Sequence, residues 1–152
     1  MPPRRSPARA GISAVDTDAF YLVGSVARSV RTGVERRLSE HGVYAGQHVI
    51  LGCLWDQDGI TPTQLARRLR LETATVTRAI SRMATGGLVE RRGDATDRRL
   101  VRVWLTARGR ALHRVVPRAV AEVRAEMFAE LSPHDQAVLA SLLGRVRRVR
   151  AG

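Results

Sequence analysis

The stretch Ile60-Thr61-Pro62-Thr63-Gln64-Leu65-Ala66, followed by Thr75-Val76-Thr77-Arg78, decides how this chain folds. Thr61 is a side-chain cap, Pro62 sits at the first helical position where its missing N–H costs nothing, and Gln64 completes a capping box. The helix started there turns Leu65, Ala66 and Leu69 inward. After a break at Arg70-Leu71-Glu72, a second helix begins near Thr73, with Val76, Ile80 and Met83 on its apolar face and Gly86-Gly87 ending it. Its other face shows Thr75, Thr77, Arg78, Ser81 and Arg82. Two short helices joined by about three residues, the second polar and arginine-bearing on its outer face, predict a helix-turn-helix.

Residues 88–92 and 100–105 read as strands, the latter alternating Val101, Val103 and Leu105 against Arg102 and Trp104. Between them, Gly93-Asp94-Ala95-Thr96-Asp97 is rich in turn formers. The hairpin carries Arg91, Arg92, Arg98 and Arg99 around its tip and reads as a DNA-touching wing. Trp104 falls on the side expected to be polar, with no role beyond packing on the head.

Upstream, Phe20, Val23, Ala27, Val30, Val34 and Leu38 form one stripe of a long helix, with Asp16 or Thr17 as its cap and Gly42 as its terminator. A short buried helix over about 46–56 follows, with Ile50, Leu51, Leu54 and Trp55 on one side. Past the hairpin, Thr106 caps a helix expected to reach about residue 131. Leu112, Val116, Ala119, Val123 and Met127 line it, and Pro117 should kink it. Ser132-Pro133-His134-Asp135 restarts a last helix, lined by Leu139, Leu142, Val146 and Val149. Such stripes at both ends exceed what the small head can cover, which predicts a homodimer interface. The expected fold is mainly α with a small β-hairpin wing. A winged helix-turn-helix head occupies about 47–106, and dimerisation helices occupy about 16–41 and 107–149. Residues 16–152 thus form one domain, preceded by a flexible basic arm over 1–15.

The 152 residues suit a single domain, and 44% hydrophobic with 26% charged residues excludes a disordered or collagen-like chain. The net charge is +12, and all 26 basic residues are arginine. A domain this basic repels itself without an anionic partner, so a polyanion is expected. Half of the net charge lies between Arg67 and Arg102, where ten arginines face Glu72, Glu90, Asp94 and Asp97. An aromatic content of 4% is too low for the stacking platforms of single-strand binders. The longest apolar run, 49–55, is far short of the roughly 20 residues a membrane span needs, and the N-terminus lacks a signal-peptide core. A cytoplasmic protein without a membrane partner is expected. The single Cys53 makes no disulfide framework, and with four scattered histidines it makes no metal-ligand spacing. No cofactor is expected. No nucleophile with base and orienting acid, phosphate-cradling glycine loop or carboxylate pair points to an enzyme.

The helix-turn-helix residues, with Gly87-Leu88-Val89-Glu90-Arg91 and with Asp97-Arg98-Arg99 followed by Val103-Trp104-Leu105-Thr106, resemble the MarR family of bacterial transcription regulators over about 47–110. The resemblance implies a winged-helix homodimer that binds a pseudo-palindromic double-stranded DNA operator. It further implies release when a small ligand enters between head and dimer region. Thr75, Thr77, Arg78, Ser81 and Arg82 would then face the major groove, where arginine can grip guanine with two bonds. Thr63 and Thr73, near helix N-termini, would meet phosphate, although capping accounts equally well for Thr61 and Gln64. Arg98 and Arg99 correspond to minor-groove probes. Asp97 would orient a neighbouring arginine, and Arg82 has two open assignments, base readout or pairing with Asp97.

By the same resemblance an effector site is expected near the junction of the first, second and fifth helices. Phe20, His41, Tyr44, His48, Trp55 and His113 would offer rings and hydrogen bonds to a small aromatic or anionic effector. Repression is expected over activation, since no separate surface for polymerase contact is assignable. Two alternatives stand beside this reading: a non-specific basic DNA-coating protein, and a redox-responsive regulator using Cys53. The place of Cys53 inside an apolar run favours an inert thiol.

Overall fold

Asp18 starts the first helix, its carboxylate accepting the Phe20 N–H at 2.8 Å. The computed structural model describes residues 18–44 and 46–149. The expected arm over 1–15 and the cap candidates Asp16 and Thr17 lie outside them, and the cap falls instead on Asp18. Helix α1 (Ala19–Ser39) ends in a turn closed by the Val43 N–H on the Leu38 carbonyl, with Gly42 at φ +70°. That is the left-handed terminator expected of Gly42. Helix α2 (Gln47–Asp56) buries Ile50, Leu51 and Leu54, while Trp55 stays half-buried and donates its indole N–H to the Gly109 carbonyl at 3.0 Å.

Both halves of the capping box before helix α3 (Pro62–Leu69) are present. The Gln64 N–H reaches Thr61 Oγ1 at 3.2 Å, and the Thr61 N–H reaches Gln64 Oε1 at 2.8 Å. Arg70, at φ 54°, makes the left-handed turn into helix α4 (Thr73–Thr85), which buries Val76, Ala79, Ile80 and Met83. A glycine-closed cap ends α4: the Leu88 N–H bonds the Met83 carbonyl and the Gly87 N–H bonds the Ala84 carbonyl. This cap uses the Leu88 N–H, so strand β1 (Val89–Gly93) starts one residue later than the hydrophobic pattern suggests.

β1 pairs antiparallel with β2 (Val101–Leu105) in the register Val89↔Leu105, Arg91↔Val103, Gly93↔Val101. Ile60 adds a one-residue bridge to Val103, an edge that short polar-flanked segments do not advertise. Period-two alternation puts Val89 and Arg91 on the face of Val103 and Leu105, and puts Glu90 and Arg92 with Arg102 and Trp104 on the other. Trp104 lies over Gly59, with the Arg92 guanidinium 5.7 Å from its ring centroid. This tryptophan fills the flank of the hairpin against the loop before α3.

The expected single helix from Thr106 to about 131 is broken. Thr106 caps helix α5 (Ala107–Ala111), a 3₁₀ turn spans Leu112–Arg114, and helix α6 runs Val116–Met127. Pro117 lies in the first turn of α6, where a proline ring is tolerated. In an uninterrupted helix it would remove a hydrogen bond and collide with the preceding turn. The apolar stripe survives the break: Leu112, Val116 and Val123 are buried, and Ala119 and Met127 pack against them. α6 lies along α1, with Gly33 beside Val123 and Arg37 paired with Glu122 and Glu126. Gly109 packs directly on the Leu88 carbonyl, where any Cβ would collide with the backbone. Helix α7 (Pro133–Val149) starts at Ser132, which exchanges hydrogen bonds with Asp135.

One core joins α1, α2, the head and α6, and its most enclosed side chains include Leu38, Leu51, Leu65, Ile80, Met83 and Val103. It does not extend to the chain ends. Phe20 is 81% exposed, Val23 and Val30 are also exposed, and Val138, Leu142, Leu143 and Val146 on α7 lie open. Among the described residues no helix is long and apolar enough to cross a membrane.

Candidate nucleic-acid interface

Burying one side of α4 leaves Thr75, Thr77, Arg78, Ser81 and Arg82 exposed on the other. Arg78 donates to Thr75 Oγ1 at 3.3 Å, and Ser81 Oγ donates to the Thr77 carbonyl at 3.0 Å. Thr73 and Thr63 are exposed in the first turns of α4 and α3, whereas Thr61 and Gln64 are engaged in capping each other. Arg91 shares a strand face with Val89, so it leans toward the helices and hydrogen-bonds Ser81. That contact joins the outer face of α4 to the hairpin in one arginine-bearing surface. Strand parity places Arg91 there: it lies within β1, opposite Val103, and not at the hairpin tip expected for it alongside Arg92, Arg98 and Arg99.

The hairpin tip is organised by Asp94. Its Oδ1 accepts the Thr96 N–H at 2.8 Å, the Thr96 hydroxyl at 2.6 Å and the Asp97 N–H at 2.9 Å, and its Oδ2 pairs with Arg102. Arg102 in turn donates to the Gly59 carbonyl at 2.8 Å. The Thr96 hydroxyl, then the Arg102 guanidinium and the backbone N–H groups, hold the Asp94 carboxyl well below the usual carboxylate range. Asp97 Oδ1 accepts the backbone N–H of Arg99 at 2.9 Å. Among the described residues it pairs with no guanidinium, and Arg82 does not reach it. The acid that orients an arginine side chain here is therefore Asp94. It stands at the head of the turn, where an aspartate readily accepts N–H groups two and three residues on. Arg98 and Arg99 remain exposed beside a loop whose own acids are already engaged.

A polar, arginine-lined helix face beside an arginine-tipped hairpin has counterparts among known proteins. Residues 43–101 match the model of the MarR family. The match spans the helix-turn-helix and the hairpin up to the start of its second strand. Among its relatives, the HTH-type transcriptional regulator TtmR of Methylorubrum extorquens is 29% identical over 98 residues, 64% of this chain and 50% of that protein. The HTH-type transcriptional repressor YetL of Bacillus subtilis is 27% identical over 138 residues, 89% of this chain and 82% of YetL. The chain thus spans half of TtmR but most of YetL. Among solved structures, a cysteine-to-serine mutant of MarR from E. coli complexed with operator DNA superimposes with a TM-score of 0.78 at 26% identity. The superposition covers 89% of this chain and 97% of that one. TtmR and YetL both bear the names of transcriptional regulators.

Around this winged head, the six residues expected at an effector site are not all brought together. Tyr44 and His48 line a groove of about 340 Å³ between α1 and α2, with Val30, Arg31 and Glu35. His48, Trp55 and His113 line a second, of about 480 Å³, with Val120 and Arg124 of α6. His48 borders both, and Trp55 and His113 stack edge to face at 5.1 Å. Burial pushes the His48 imidazole below its ordinary pKa, which favours the neutral ring. Phe20 lines neither groove: it is near the start of α1, edge-on to Tyr21. His41 lines neither as well, its carbonyl accepting from Arg108. Cys53 is half-buried, and burial raises its thiol pKa, the environment of an unreactive cysteine. Among the described residues no three histidines, cysteines or carboxylates gather as metal ligands.

Proposed function

We propose that this protein is a sequence-specific, double-stranded DNA-binding repressor that acts in the cytoplasm as a homodimer on a pseudo-palindromic operator. The observation that carries the reading is the continuous surface of Thr75, Thr77, Arg78, Ser81 and Arg82 with the Arg91 link to the hairpin. A helix of this kind enters the major groove with its outward side chains on base edges. Thr63 and Thr73, in first turns, would meet phosphate, and Arg98 and Arg99 would enter the flanking minor groove. Asp97 sets the backbone from which Arg99 projects, and Asp94 sets the loop. The superposition on MarR bound to operator DNA, and the name of the repressor YetL, support the assignment.

The exposed apolar residues of α1 and α7 support the dimer. Two copies related by a two-fold axis would present recognition helices about 34–36 Å apart, matching successive major grooves. A small aromatic or anionic effector would enter beside His48, Trp55 and His113, where rings, neutral imidazole and the Arg124 cation converge. Selection of bound duplexes from a random DNA pool by the purified protein tests the reading. One inverted repeat, preferred by about 10³-fold or more over random duplex, is expected. Recovery without preference would leave a basic DNA-coating protein and overturn sequence-specific recognition.

A further inference from the structure

Arg108 stands apart from the surface described above, yet it touches the ends of two helices on which the proposed function depends. Its Nη1 donates to the Gly86 carbonyl at 2.6 Å and its Nη2 to the His41 carbonyl at 3.2 Å. Gly86 is the C-cap of α4, and His41 follows Glu40, the C-cap of α1. Carbonyls at a helix C-terminus lack intrahelical partners and carry the negative end of the helix dipole; Gly86 supplies one of these, and His41 supplies a carbonyl of the turn that leaves α1, so one guanidinium ties the end of α4 to the exit of α1. Its planar fork fixes the direction of both bonds, which a point charge on a flexible stem would not do.

The surroundings are shaped for this bridge. Gly42, at φ +70°, leaves open the space that Nη2 occupies, since a Cβ there would collide with it. The Arg108 backbone is held in place by its neighbour: Thr106 Oγ1 donates to the Gly87 carbonyl at 2.6 Å and accepts the Gly109 N–H at 3.0 Å. Among the described residues no other side chain hydrogen-bonds both the end of α1 and the end of α4. α1 also packs through Val34 and Leu38 into the shared core and through Arg37 onto α6.

We propose that Arg108 is a positioning residue that fixes the angle of α4 relative to α1, and thereby the separation of the two recognition helices in the dimer. The proposal rests on the reading of α4 as the recognition helix of a homodimer. Because Arg108 is exposed, its removal should disturb this angle more than the stability of the fold.

The test uses the full chain and labelled duplexes carrying the selected inverted repeat at its own spacing, and with one or two base pairs inserted between half-sites. One inserted pair turns a half-site by about a tenth of a helical turn. The unsubstituted protein should lose about 10-fold or more in affinity per insertion, comparable to a mismatch. Arg108→Ala should bind the native spacing less tightly but discriminate by less than about 3-fold, with little change in thermal midpoint. Arg108→Lys keeps charge and stem while losing the fork. It should move in the same direction, and it serves if the alanine variant does not fold. Wild-type discrimination in these variants, or an equal loss on every duplex, would overturn the proposal. Absence of any spacing preference in the unsubstituted protein would overturn the dimeric-operator reading beneath it.

Discussion

Replacing Gly59 by alanine should destabilise the head by an amount that can be worked out from two contacts. Gly59 sits at φ +71°, and a Cβ built on it falls 2.5 Å from Trp104 Cη2 and Cζ2. The backbone cannot retreat easily. Its N–H donates to the Val103 carbonyl at 3.0 Å, and its carbonyl accepts from Arg102 at 2.8 Å. A left-handed alanine costs about 1–2 kcal/mol, and forcing a methyl against a packed ring about 1–3 kcal/mol. Ordering less chain entropy on folding returns roughly 0.4–1 kcal/mol. Gly59→Ala should therefore cost about 2–4 kcal/mol net. Urea unfolding followed by circular dichroism, at one fixed protein concentration, measures it. In a Trp104→Ala background the ring is gone, and the same substitution should cost only about 1 kcal/mol, a coupling near 1–3 kcal/mol. Equal costs in the two backgrounds would refute the packing assigned to Trp104.

Arg99→Ala should weaken operator binding by about 10-fold or more without altering the sedimentation of the protein, the signature of a lost groove contact. The depressed pKa of Asp94 means that its contribution is fully present above the unfolded carboxyl pKa and is lost only as pH falls through the lower folded value. Carboxyl NMR should accordingly show no Asp94 titration through the ordinary range near about pH 4, and Asp94→Ala should speed amide exchange at Thr96 and Asp97. Cys53 should react more slowly with iodoacetamide than a free thiol, and mild peroxide should leave DNA binding unchanged, since burial raises its pKa. Thr61→Ala should cost about 1 kcal/mol, read as a lower urea midpoint, because it removes one arm of the capping box.

The elements most legible in the sequence were those whose signals are local. Thr61-Pro62-Thr63-Gln64 defines the start of α3 by side-chain chemistry within four residues, and the buried positions of α4 follow from three-and-four spacing. The break before α6 was legible only as a kink, because Pro117 suits either a bent helix or the first turn of a new one. The choice depends on how Leu112 and Val116 pack. The Ile60 bridge and the Asp94 clasp involve partners across the hairpin or from the loop before α3, and no local pattern encodes them; strand parity gives the face of Arg91 but not its partner Ser81 on α4. Two adjacent arginines make Asp97 look like their partner in the sequence, but an aspartate two residues before a backbone N–H captures that group first. The expected effector residues scattered for a related reason: Phe20 and His41 lie on α1 and its exit, and three-and-four spacing says nothing about how far along α1 the neighbouring α2 extends.

The seat of Gly109 on Leu88 has a bearing on how this hairpin can change over time. The two feet of the hairpin meet where the Thr106 N–H bonds the Leu88 carbonyl, and Gly109 of α5 locks that same carbonyl, backbone on backbone, at a place that admits no side chain. Everything beyond them, from Asp94 to Leu100, hangs outside that joint and outside the core. As long as Asp94 still holds Arg102 on the Gly59 carbonyl, residues can be added to or removed from the rest of the tip, so reach toward a ligand is free to vary by insertion and deletion while the anchoring pair stays the same. A designer could exchange the tip as a cassette that keeps Asp94 against Arg102, and expect the rest of the chain to fold as before.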